Sequence, residues 1–161
     1  MTQLVKIAFS LNGRPVETSI PPNTLLIDLV RDCFGFKGTK RSCDMEVCGA
    51  CTMLLDGEPI SSCTTLAVDA DQCEVTTIEG VTPASGMSRV QEAFVVHGAI
   101  QCGFCTPGFV LAVTALLRRN PAPTDEEIRR YLRGNLCRCT GYAKIYEAIK
   151  SLASEANANA A

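Results

Sequence analysis

Between residues 4 and 11 apolar and polar side chains alternate, with Val5, Ile7, Phe9 and Leu11 on one side, the period of a strand with one buried face. Asn12-Gly13 supplies the positive φ angles of a tight turn, and residues 15 to 20 return as the second arm of a β-hairpin. Pro21-Pro22 ends it. The period then lengthens: Leu25, Leu26, Leu29, Val30 and Cys33 form a stripe at helical spacing, with Thr24 as the expected cap and Gly35 as the stop. Strands are expected again at 51–55, 59–63 and 74–78, with a turn at Asp56-Gly57. These elements predict a small sheet domain over residues 1–80, within the usual size range of a domain.

Beyond Gly80 the pattern is helical. Ser88 with Gln91 reads as a capping box for a helix carrying Val90, Phe94 and Val95 and ending at Gly98. Thr106-Pro107 reads as a cap followed by proline in the first turn, opening an apolar helix that stops at Asn120-Pro121. Thr124 with Glu127 caps a third helix closed by Gly134. Thr140 is expected to open a fourth through Tyr142, Ile145, Tyr146, Ile149 and Leu152. Short connections between four short helices predict a bundle over 81–153, and the small, polar residues 154–161 predict a disordered tail. The fold class is α+β.

Composition narrows the function classes. Hydrophobic residues make up 47% of the 161, enough for real cores. With 15 basic and 17 acidic residues the net charge is −2, so no basic surface dominates and nucleic acid is not an expected partner. The N-terminal residues lack the pattern of a secretory signal, and no apolar run approaches the about 20 residues that span a bilayer. The expected location is the cytoplasm, where clustered cysteines serve as metal ligands more often than as cystines.

Eight of the ten cysteines fall into two quartets. Cys43-x4-Cys48-x2-Cys51 with Cys63 after eleven intervening residues is the plant-type ferredoxin spacing for a 2Fe-2S cluster. Cys102-x2-Cys105 and, after 31 residues, Cys137-x-Cys139 supply two close pairs for a second four-thiolate site, each pair just ahead of a predicted helix whose free N–H groups favour negative charge. Zinc suits the first spacing poorly, because it offers only one knuckle-like pair; for the second, zinc stays open. Cys33, on the predicted apolar face, and Cys73, at a strand start, read as inert core or edge residues. His97, the only histidine, reads as a helix C-terminal residue, since a Rieske site needs two.

The blocks GTKRSCDMEVCGACTMLLDG with Cys63, then QCGFCTPG, then LRGNLCRCTGY resemble, in order, the small iron–sulfur subunit of the molybdenum hydroxylases. That family includes xanthine dehydrogenase, aldehyde oxidoreductase, aerobic-type carbon monoxide dehydrogenase and the N-heteroaromatic dehydrogenases. The resemblance spans residues 4 to 152. It implies an N-terminal β-grasp ferredoxin-like domain holding one 2Fe-2S cluster on Cys43, Cys48, Cys51 and Cys63, and a C-terminal four-helix domain holding another on Cys102, Cys105, Cys137 and Cys139. It further implies a large partner subunit with a molybdopterin-type molybdenum cofactor beside the helical domain, and a medium FAD subunit beside the ferredoxin domain. Gln101 and Cys139 match positions that approach the pterin. No nucleophile–base constellation or phosphate-binding glycine loop occurs, so no catalytic residue is assigned. The expected function is electron relay from molybdenum through two clusters to FAD or another acceptor; an independent two-cluster shuttle and a zinc-stabilised interaction module are the alternatives. The chain departs from the family in one place: Asp44-Met45-Glu46-Val47 lacks the glycine often found inside the x4 loop, so any positive φ there falls to another residue.

Overall fold

The computed structural model describes residues 3–160, with side chains described as far as Ser154. β1 (Val5–Leu11) and β2 (Arg14–Ile20) pair antiparallel with Val5 opposite Ile20 and Leu11 opposite Arg14. Asn12 and Gly13 take the turn at φ 52 and 75, as their side chains allow. β3 (Thr52–Leu55) and β4 (Glu58–Ser61) form a second hairpin through Asp56-Gly57. β5 (Glu74–Thr76) lies between the hairpins, parallel to β1 and antiparallel to β3, which gives the mixed order β2-β1-β5-β3-β4.

The sheet grips a short helical segment, and here the expectation needs correction. α1 (Leu26–Asp28) is one α-turn that continues as π-helix over Leu29–Cys33, closed by the Phe34 N–H on the Leu29 carbonyl at 3.2 Å. Thr24 does not cap it: its hydroxyl donates to the Pro21 carbonyl at 2.8 Å, and Leu25 is the capping residue without a side-chain bond. Wider π turns rotate the following residues away from a 3.6-residue stripe, so Cys33 is exposed and not on the buried face. Leu26, Leu29 and Val30 nonetheless pack against Ile7, Phe9, Leu11, Met53 and Val75 in one buried cluster. Burial of side chains this size contributes about 1.5–3 kcal/mol each, which holds a helix too short to stand on propensity.

α2 (Arg89–Val96) has the predicted capping box: Ser88 N–H donates to Gln91 Oε1 at 2.7 Å and Gln91 N–H returns to Ser88 Oγ at 3.3 Å. α3 (Thr106–Arg119) starts one residue earlier than expected, with Cys105 as its cap and Pro107 in the first turn. Its faces are buried nearly all round because it packs in the bundle through Phe109 and Val113 and against the sheet through Leu111 and Ala115, which meet Leu54. α4 (Asp125–Tyr131) carries the Thr124–Glu127 box and ends in a 3-10 turn, Leu132–Gly134. α5 is Ala143–Ala160, not a helix from Thr140, since Gly141 and Tyr142 stand at φ 61 and 67, outside right-handed helix. Leu152 and Ala153 are buried. The expected disordered tail, 154–161, lies largely beyond the residues whose side chains are described, though the backbone of α5 continues through much of it.

Candidate metal centres

The first quartet lies on the loop that leads into β3, plus the turn that follows β4. Between Cys43 and Cys48 the backbone turns twice through the left-handed region, at Asp44 (φ 55) and Glu46 (φ 60). Those turns bring the N–H groups of Val47 and Cys48 to 3.4 Å from Cys43 Sγ. The amides of Met45 and Val47, with a lesser contribution from Cys48, accordingly bring the Cys43 thiol down to about 6, against the opposing effect of burial. Cys51 and Cys63 are buried against Ile27 and Leu25. Ser62, beside Cys63, donates to the Cys51 carbonyl at 2.6 Å. Burial, together with the neighbouring Cys63 sulfur, pushes Cys51 up to about 12.

The second quartet gathers at one end of the bundle. Cys139 Sγ and Cys102 Sγ lie 3.6 Å apart at the surface, while Cys105 and Cys137 pair further in. Thr140 supports Cys137, with its hydroxyl 3.1 Å and its N–H 3.5 Å from the sulfur. Burial raises the Cys137 thiol, but those Thr140 bonds and the Cys139 amide carry it net downward. Cys105 is pushed up to about 12, mainly by burial and then by Cys137. Only the first pair sits at a helix start as expected. The second precedes α5 by several residues, because the left-handed Gly141-Tyr142 step intervenes, and the side chain of Thr140 provides what a first helical turn was expected to provide. Tyr142 closes this loop by accepting the Cys137 N–H at 3.1 Å.

In both quartets the thiols come as two pairs, Cys43 with Cys48 and Cys51 with Cys63, then Cys102 with Cys139 and Cys105 with Cys137. Among the described residues no three His, Cys, Asp or Glu side chains close round a single ion. Two pairs, each able to take one iron, fit a binuclear cluster of four thiolates. The raised thiols fit as well: sulfurs this close cannot all ionise without the positive charge that iron brings.

Cys33 and Cys73 stand outside both groups; Cys73 Sγ lies 3.5 Å from the Asp71 carbonyl at the turn before β5. His97 is the C-terminal capping residue of α2, through its backbone. Gln101 is exposed beside Cys102.

Residues that the spacing did not single out join the quartets. Leu136 N–H donates to the carbonyl of Cys48 at 2.9 Å, and Asn135 Nδ2 donates to the Gly49 carbonyl at 3.2 Å while itself buried. A Cβ on Gly108, in the first turn of α3, would stand 2.1 Å from the Gly49 carbonyl oxygen, and one on Gly49 would stand 2.3 Å from the Gly134 carbonyl oxygen. The two cysteine-bearing segments therefore meet backbone to backbone. The available signal was the glycine beside each cysteine group, in CGAC and CTPG, which marks close approach without naming the partner.

Residues 28–98 match the profile of a 2Fe-2S iron-sulfur cluster binding domain and residues 77–150 that of a 2Fe-2S binding domain. The nicotinate dehydrogenase small FeS subunit of Eubacterium barkeri is 45% identical over 146 residues, 91% of this chain and 93% of that one. The xanthine dehydrogenase iron-sulfur-binding subunit of Escherichia coli O157:H7 is 43% identical over 150 residues, 92% and 94% of the two chains. Quinoline 2-oxidoreductase from Pseudomonas putida 86 superposes with a TM-score of 0.90 at 42% identity, over 97% of this chain and 98% of that chain. Aldehyde oxidoreductase from Desulfovibrio gigas superposes equally well, at 0.90 and 35% identity, but this chain corresponds to only 17% of it. Two paired thiol quartets joined through backbone, inside a fold and sequence shared over nearly full length with such subunits, place the chain in the small iron–sulfur subunits of the molybdenum hydroxylase, or xanthine dehydrogenase, family.

Proposed function

We propose that the chain is the electron-transfer subunit of a molybdenum-containing hydroxylase or dehydrogenase. In this reading residues 1–80 hold one 2Fe-2S cluster on Cys43, Cys48, Cys51 and Cys63, and residues 81–153 hold another on Cys102, Cys105, Cys137 and Cys139. Bound there, the clusters supply one-electron redox chemistry. The observation that carries the reading is the hydrogen bond from Leu136 N–H to the Cys48 carbonyl, 2.9 Å long. Cys48 is a ligand position of the first quartet and Leu136 directly precedes Cys137 of the second. A short path of covalent bonds and one hydrogen bond thus joins the two sites, and Gly49 and Gly108 remove the side chains that would hold them apart.

Partners follow from the outer edge of the second quartet. Cys102 and Cys139 are exposed, and so are the apolar Ile100, Phe104 and Leu136 around them, at 38, 46 and 46%. Apolar groups ringing an open thiol pair suit a large molybdopterin subunit seated here, and a medium FAD subunit near the first quartet completes the complex, in the cytoplasm. Gln101 at that edge offers both amide donors and acceptors to the pterin, and the sulfur of Cys139 is an acceptor.

The test is metal analysis and EPR on the chain from its native complex. Four irons and four acid-labile sulfides per chain are expected, with two distinct signals on partial reduction. Cys48→Ser should abolish one signal, Cys137→Ser the other, and Cys33→Ala neither. Gln101→Ala should keep both clusters yet slow reduction of the second by substrate. Full-occupancy zinc in either quartet would overturn the reading, and a native chain that purifies alone would favour the independent shuttle.

A further inference from the structure

The first ligand loop is built from residues that disfavour its shape. Asp44 and Glu46 occupy left-handed conformations that glycine adopts freely and L side chains resist, yet no glycine stands between Cys43 and Cys48. Something outside the loop's own preferences holds it. Arg41 Nε lies 3.0 Å from Asp44 Oδ1, and the same guanidinium pairs through Nη1 with Asp28 at the end of α1. On the far side Glu46 Oε2 accepts from Thr64 Oγ1 at 3.4 Å, a longer and weaker link.

The side chains of Arg41 and Asp28 are 40 and 39% exposed, and ion pairs so placed add little to global stability. Their use is conformational. A planar fork can span two carboxylates in fixed geometry, where a lysine would offer a single rotating point charge. Anchored on α1, the fork ties Asp44 back to residue 41 while its backbone stands at φ 55. Val47 and Cys48 then present their N–H groups to Cys43 Sγ at 3.4 Å.

We propose that Arg41 is a positioning residue of the first 2Fe-2S site: clamped between Asp28 and Asp44, it holds the glycine-free loop in its left-handed turns and thereby keeps the Val47 and Cys48 amides aimed at the Cys43 sulfur. This rests on the reading that the first quartet holds a cluster. Donors to a ligand sulfur stabilise the reduced, more negative state, so loosening the loop lowers that cluster's reduction potential.

The experiment is an EPR-monitored redox titration, with iron release to a chelator, on the full chain carrying both clusters. Arg41→Ala should move the first midpoint downward and speed iron loss from that site by about five- to thirtyfold, the factor expected for one unrelieved left-handed residue. The second cluster is the internal reference and should not move. In the Arg41→Ala background, Asp44→Gly should restore slow release and Asp44→Ala should not, although the two double variants carry the same charge. Equal behaviour of the two, or an Arg41→Ala chain indistinguishable from the parent, overturns the proposal. Should Arg41→Ala fail to fold, the single variants Asp44→Gly and Asp44→Ala make the same contrast. A parent chain without four irons and four sulfides would overturn the cluster reading instead.

Discussion

At the scale of single residues, the contrast between cysteines in one quartet is set by what each sulfur faces. Cys43 faces three amide donors and sits at about 6, whereas Cys51, buried beside Cys63, sits at about 12. Thiolate is the reactive form, so its fraction rises as pH climbs through each value. In an iron-stripped chain that retains its fold, alkylation of Cys43 should accelerate between about pH 5 and 7 and then level off, while Cys51 stays slow through pH 9. Mass spectrometry of the labelled peptides checks this, and equal labelling of the two at pH 7 would contradict it. Spacing alone set Cys33 and Cys73 apart from the two proposed quartets. Their surroundings were not legible there: Cys33 ends a π-helical turn that no stripe of apolar residues announces, and it is exposed to solvent.

At the scale of elements, the helices whose ends were legible are those closed by side chains local in sequence. Ser88 with Gln91 and Thr124 with Glu127 lie three positions apart and bond as their types dictate. Replacing either cap, Ser88→Ala or Thr124→Ala, should cost about 1 kcal/mol in a thermal or denaturant unfolding measurement. Loss of less than a few tenths at both positions would show that tertiary packing, not the box, holds these ends. Thr24 and Thr140 have equally good cap chemistry and do not cap. Thr24 is drawn to the Pro21 carbonyl, and Thr140 gives its hydroxyl to Cys137 and accepts Tyr142 N–H at 3.2 Å. Donating the hydroxyl is not what disqualifies them, since Thr124 donates to Glu127 Oε2 at 2.8 Å and still caps; their helices begin further on, at Leu26 and Ala143, beyond the reach the sequence pattern assigned them.

At the scale of the whole molecule, the decisive feature is the seam between the two halves. Leu54 of β3 packs with Leu111 and Ala115 of α3, and next to that apolar contact Gly49, Gly108 and Asn135 bring the two cysteine-bearing segments together. A methyl group at Gly108 would have to displace backbone, not a flexible side chain. Gly108→Ala should destabilise the chain by about 1–3 kcal/mol and weaken the magnetic coupling between the two EPR signals, since the sites must move apart. An unchanged melting temperature with unchanged coupling would show that the seam has slack. No helix among the described residues is long and apolar enough to cross a membrane.

What the sequence determined by itself is the chemistry and its local scaffolding. The x4, x2 and x11 spacings, the two later pairs, the Asn12-Gly13 hairpin and both capping boxes are specified by residues near one another along the chain, and the glycine-free loop was visible as a departure. Tertiary structure alone decided how these pieces act together. Sulfurs 37 residues apart in sequence, Cys102 and Cys139, meet at 3.6 Å only because α3 and α5 share one core. The Leu136–Cys48 and Asn135–Gly49 bonds cross most of the chain and leave no periodic trace. Nothing in the spacing singles out Arg41, and folding alone sets it between Asp28 and Asp44. The reason is physical: spacing encodes which groups share a turn or a face, whereas the approach of two backbones depends on every side chain packed between their elements.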